Sequence, residues 1–149
     1  MRKLFLLVSF VSAGAAFSWA QGFESNRIAY WPIGEMRAIE TNEMIPKAKT
    51  PGGSGARVGS KMLFNLPTHR IMLAHRASSS PPEVHKAETD VFVVQSGGGV
   101  LQVGGEKFKM AVGDVVNIPP NIHHNWFLEP GQTVTYFIVK VEEQHSSPR

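Results

Sequence analysis

This chain of 149 residues predicts an all-β fold: a single small barrel or jelly roll preceded by a short helix. Two observations lead there, and a third bounds the answer. From about residue 60 to 141, short runs rich in Val, Ile, Phe and Thr have the composition of half-buried strands. Clusters of Gly, Pro, Asn and Asp interrupt those runs at intervals of about eight to twelve residues, which is turn chemistry at barrel spacing. The chain has no cysteine, so no disulfide can substitute for a packed core.

Residues 1–20 read as a secretory signal. Arg2 and Lys3 form a positive start, Leu4 to Phe17 are apolar or small, and Ser18-Trp19-Ala20 offers small residues where cleavage is read. The alternative is a membrane anchor, but about fourteen such residues fall short of the roughly 20 needed to span a bilayer. Cleavage after Ala20 is therefore expected, with a secreted or periplasmic product and no membrane association once the leader is gone. The remaining chain of about 129 residues suffices for one core.

Residues 21–59 form an extension. Ile28 to Pro32 reads as extended, Glu35 to Met44 as a short helix stopped before Pro46, and Thr50 to Gly55 as a Gly-rich loop. The barrel is assigned to residues 60–141. Leu63 to Leu66 and His69 to His75 are strands broken at Pro67, and Ser78 to Pro82 is the loop that delivers Glu83. Val91 to Gln95 and Val100 to Val103 flank the turn Ser96 to Gly99. Gly104-Gly105 turns the chain into Glu106 to Met110, and Val115 to Ile118 follows, ended by Pro119-Pro120-Asn121. Trp126 to Leu128 and Thr133 to Val141 complete the set. Residues 142–149 form a polar tail expected to be disordered.

Charge excludes one class of partner. The formal net charge of +3 falls to +1 when Arg2 and Lys3 leave with the leader, and no Lys/Arg cluster remains to bind nucleic acid. Nor is the Gly97-Gly98-Gly99 run a phosphate cradle, because no helical pattern follows it.

The spacing of several residues carries a sharper signal. Ala77, Glu83, His85, Asp90 and Gly97 stand at the intervals of Gly, five residues, His-x-His, four residues, Glu, six residues, Gly. Gly113, Pro119, Asn121, His124 and Leu128 stand at those of Gly, five residues, Pro-x-Gly, two residues, His, three residues, Asn. In these two motifs, fifteen residues apart, the chain resembles the cupin superfamily over about residues 60 to 141. His85, Gly97, Gly113, Pro119 and His124 match. Glu83 stands for a His and Asp90 for a Glu, which changes ligand chemistry and reach. Asn121 stands for a Gly, a mild change because Asn tolerates positive φ.

The resemblance implies a cupin barrel with one divalent metal inside it. His85, Asp90 and His124 are the expected ligands, with Glu83 a fourth ligand or the adjacent general base. Two imidazoles and a carboxylate suit Fe, Mn, Zn, Ni or Cu. Glu83 and His85 are two apart and share a face on any strand; the resemblance implies that this face is inward. His123 competes for the role of His124, and Glu88 for that of Asp90. On the strand His69–Arg76, the residues alternate between a His69/Ile71/Leu73/His75 face and an Arg70/Met72/Ala74/Arg76 face, one of which lines the barrel. Arg76 could therefore bind a substrate carboxylate, the competing reading being a surface salt bridge. Phe92, Trp126, Tyr136 and Phe137 read as core or dimer-interface aromatics.

Three functional classes follow: a metal-dependent enzyme acting on a small exported molecule, where the resemblance implies a dioxygenase, lyase or isomerase; a non-catalytic module binding a small ligand; and a metal-free structural barrel. Pairing of small cupins barrel to barrel makes a homodimer the expected assembly.

Overall fold

A computed structural model describes residues 30–52 and 55–142. The predicted leader, Ile28 and Ala29 of the extended segment, and the tail from residue 143 lie outside the described residues. Alternating sequence becomes eight strands among the described residues: β1 (Val58–Asn65), β2 (His69–Arg76), β3 (Glu88–Gly97), β4 (Gly99–Val103), β5 (Glu106–Met110), β6 (Val115–Ile118), β7 (His124–Phe127) and β8 (Val134–Glu142). They pair antiparallel into two sheets, one in the order β1-β2-β8-β3-β6 and one in the order β5-β4-β7. An all-β fold is thus what the chain adopts.

The turns lie where the punctuation residues fall. Gly97 adopts positive φ where the chain crosses from β3 of the larger sheet to β4 of the smaller, Gly104 does so at the β4–β5 hairpin turn, and Asn121 is the one described non-Gly residue with positive φ, at 62°. Asn121 donates its N–H to the His85 carbonyl at 2.7 Å, so the turn that ends β6 also fixes the segment carrying a predicted ligand.

Both faces of the larger sheet are covered. Its inner face joins the smaller sheet around Phe92, Val94, Leu101, Ile118, Trp126, Val134 and Tyr136, all nearly inaccessible. The outer face buries Leu63 and Leu73 against Ile39 and Met44 of the N-terminal segment, with Trp31, Phe64 and Phe137 packed around them. The structure thus settles the two-faced reading of β2. Met72, Ala74 and Arg76 line the barrel cavity, whereas Leu73 and His75 look toward the helix. A bulge between Met62 and Phe64 puts consecutive Leu63 and Phe64 on the helix side, which widens the apolar seat for the helix.

That helix differs from expectation. Helical backbone runs as α1 (Ile33–Ile39), a π turn (Glu40–Met44) and α2 (Ile45–Ala48), and so passes through Pro46 instead of stopping before it. Proline breaks a helix by lacking a donor and by striking the carbonyl four residues back. The π turn shifts that register, and Pro46 enters α2 in its first turn, where no N–H is required.

Candidate metal centre

Local backbone pairing gathers three of the four predicted donors, Glu83, His85 and His124, while Asp90 stands apart on β3. Glu83 lies in the loop before β3 and forms a single antiparallel bridge with His124. Glu83 N–H donates to the His124 carbonyl at 2.8 Å and His124 N–H to that of Glu83 at 2.9 Å. Further along, Ser80 N–H donates to the Trp126 carbonyl, and the Ser80 hydroxyl accepts from Trp126 N–H at 3.1 Å. The Ser/Pro loop therefore runs along β7 and hangs Glu83 and His85 beside His124. Glu83 and His85 both line the cavity while Val84 is exposed, so the alternation survives without a ladder.

Glu83, His85 and His124 each offer one ligand atom, and these atoms lie within 4.8 Å of one another. The two imidazole rings are 5.5 Å apart between centroids, and Phe92 meets His124 edge-on. His124 is buried, and its Nδ1 is 3.2 Å from the Ile122 carbonyl oxygen. A carbonyl can only accept, so Nδ1 carries the proton and Nε2 presents its lone pair. That Nε2 is buried with no hydrogen-bond partner. Burial also pushes the His124 pKa below its ordinary value, against the hydrogen bond to Ile122 and the charges of Asp90 and Glu83. A buried neutral imidazole, locked in one tautomer and with an unused lone pair, is what a metal ligand requires, so the donor set fits a divalent ion.

Asp90, on β3, places Oδ2 3.4 Å from His85 Nε2 and 4.0 Å from His124 Nε2. Opposite it in register on β8 stands Lys140, whose Nζ lies 3.2 Å from Asp90 Oδ1 and 3.0 Å from Glu88 Oε2. Glu88, the alternative to Asp90, is thus held by Lys140 and also by Arg70. His123, the alternative to His124, is exposed.

Arg76 corrects the surface-salt-bridge reading. Its side chain is only 9% exposed and lines the cavity. Nε donates to the Tyr136 hydroxyl at 2.8 Å and Nη2 to Glu83 Oε1 at 2.8 Å. Burial works to lower the Arg76 pKa, but Tyr136 and Glu83 more than offset it and the net shift is upward. Burial raises the pKa of Tyr136, which keeps its proton. Phe92, Trp126 and Tyr136 are core aromatics of the barrel, and Phe137 packs on the helix side. Sequence reasoning missed Lys140. A signal was present, because the period of two along β8 aligns Tyr136, Ile138 and Lys140 on one face, and all three line the cavity.

The cavity has a volume of about 270 Å3. Its walls alternate apolar side chains of the larger sheet, such as Met72, Ala74 and Ile138, with the charged Arg76, Glu83, Asp90 and Lys140.

Known proteins place this geometry. Residues 69–140 match the cupin type-2 family, described as a cupin domain. Among solved structures, the chain resembles a cupin 2 conserved barrel domain protein from Rhodopseudomonas palustris, with 24% identity, coverage of 67% of this chain and 70% of that one, and a TM-score of 0.55. A cupin protein from Bacteroides fragilis aligns at 18% identity over 61% of this chain and 82% of its own, with a TM-score of 0.52. A predicted oxalate decarboxylase from Thermotoga maritima aligns at 16% identity over 58% and 81%, with a TM-score of 0.53. No curated protein matches the sequence. At these identities the likeness shows the fold, and together with the cupin-domain match over residues 69–140, just under half of the chain, it supports membership of the cupin superfamily.

Proposed function

We propose that this chain is a small exported cupin that holds one divalent metal ion through His85, His124 and neighbouring carboxylates, and acts on a small organic molecule in the adjoining cavity. The observation that carries the reading is the buried, partnerless Nε2 of His124 beside His85 and Glu83. A buried acceptor without a partner costs free energy, and a metal would relieve that cost. Glu83 sits among the mutually close donors and serves as a ligand; Asp90, held by Lys140, is the second carboxylate within reach of both imidazoles. When bound, the metal would supply Lewis-acid polarisation of a substrate oxygen. The chain's own groups would orient that substrate, and the apolar walls would exclude water from it. Dioxygenase, lyase and isomerase are the reaction classes the family resemblance implies. Export rests on residues 1–20.

Metal analysis of the purified, metal-loaded protein tests the reading. About one metal per chain is expected in wild type and in His123→Ala, whose side chain is exposed, and a marked loss in His85→Ala and His124→Ala with the β-sheet circular dichroism retained. Equal metal content in all four proteins would end the metal reading. A ligand-binding barrel would then be the better account, since Arg76 and Lys140 already neutralise Glu83 and Asp90 without a metal.

A further inference from the structure

We infer that the cavity selects a small carboxylate anion and that Arg76 grips it. Three observations converge. The first is an unused donor: Arg76 spends Nε on Tyr136 and Nη2 on Glu83, while Nη1 is buried without a hydrogen-bond partner on a side chain that lines the cavity. A buried guanidinium donor left unpaired is costly, and a carboxylate is the ligand whose paired oxygens match the guanidinium fork.

The second is charge. The charged residues lining the cavity, Arg76 and Lys140 against Glu83 and Asp90, cancel. A divalent ion held by neutral imidazoles leaves an excess of positive charge in a half-open cavity whose floor carries the buried Arg76 and Asp90, which an anionic ligand offsets. This part of the argument rests on the proposed metal centre. The third is shape. A space of about 270 Å3 walled by Met72, Ala74, Phe92 and Ile138 has room for a molecule of several heavy atoms with an apolar body and a charged end.

The test uses the purified protein, with propanoate as probe and the neutral isostere propanamide as control, titrated by saturation-transfer NMR. Zinc-loaded wild type is expected to bind propanoate about tenfold or more tightly than propanamide, the factor carried by one charge-assisted hydrogen bond. Arg76→Lys keeps the charge but loses the fork, and should weaken propanoate by a similar factor at a zinc concentration that saturates the site, with zinc content checked because Arg76 contacts the Glu83 carboxylate. A third arm needs neither zinc nor a foldable Arg76 variant: zinc-free Glu83→Gln, which leaves cations in excess by removing the negative charge paired with Arg76, should bind propanoate more tightly than zinc-free wild type. Failure to take up zinc would sink the metal reading alone, and the third arm would still decide this one. Equal binding of propanoate and propanamide by zinc-loaded wild type would overturn the carboxylate proposal. So would undiminished propanoate binding by Arg76→Lys, or no gain in zinc-free Glu83→Gln.

Discussion

Glu83 stands between two positive claims on its charge, the Arg76 guanidinium at 2.8 Å and the space shared with His85 and His124. Glu83→Gln keeps the size and removes the charge. If the carboxylate is a ligand, metal affinity should fall by more than the roughly 10–100-fold that loss of a supporting outer contact costs. Competition with a chromophoric chelator would measure it, and unchanged affinity would return Glu83 to the role of base. His75 offers a second residue-level test away from the cavity. Its Nδ1 lies 2.8 Å from Thr135 Oγ1, and the Thr135 hydroxyl donates to Glu40, which also accepts from Ser96. Burial lowers the His75 pKa from its usual 6.5, although Glu40 opposes the shift. With the folded pKa depressed, the unfolded chain takes up the proton first, so this contribution to stability is present above about pH 6.5 and is lost as the pH falls toward the folded value. Urea midpoints should therefore drop between pH 7.5 and 5.5 more steeply in wild type than in His75→Gln; parallel curves would remove His75 as the cause.

At the scale of elements, the helical segment docks through backbone as much as through side chains. Gly59 of β1 faces Met44, and a Cβ there would overlap the Met44 carbonyl oxygen. The obstacle is main chain and cannot rotate aside. Gly59→Ala should destabilise the protein by about 1–3 kcal/mol, the usual cost of overpacking. Gly105→Ala, where nothing lies within 4 Å, should stay within about 0.5 kcal/mol of wild type. Equal denaturation midpoints for the two variants would show that the helix does not seat as described. Lys61 and Glu43 add an ion pair at 3.0 Å across the same junction, but both side chains are more than a third exposed and the pair contributes little.

For the whole molecule, assembly and processing remain expectations argued from sequence. Barrel-to-barrel pairing would cover the edge strands that two open sheets leave, β1 and β6 in one and β5 in the other. Light scattering is expected to return twice the mature mass, and a monomer mass across a wide concentration range would exclude the dimer. Edman sequencing of secreted material should begin at Gln21. A protein that retains Met1 would show that residues 1–20 are not a cleaved leader.

What the amino-acid sequence determined by itself was local. Turns at Gly97, Gly104 and Asn121 were legible because few residues accept positive φ, and strands such as Glu106–Met110 and Val115–Ile118 were legible because turn residues bound them on both sides. The spacing of His85, Asp90 and His124 was legible as a motif. Partnership was not. That Arg76 turns inward to Glu83, that Lys140 crosses from β8 to Asp90, and that the Ser/Pro loop lies along β7 all depend on strand register between segments far apart in the chain, which no local pattern encodes. The helix running on past Pro46 was hidden for the same reason: an apolar seat on the outer face of the larger sheet, including Leu63, Leu73 and Phe137, holds a segment whose own sequence argues for stopping.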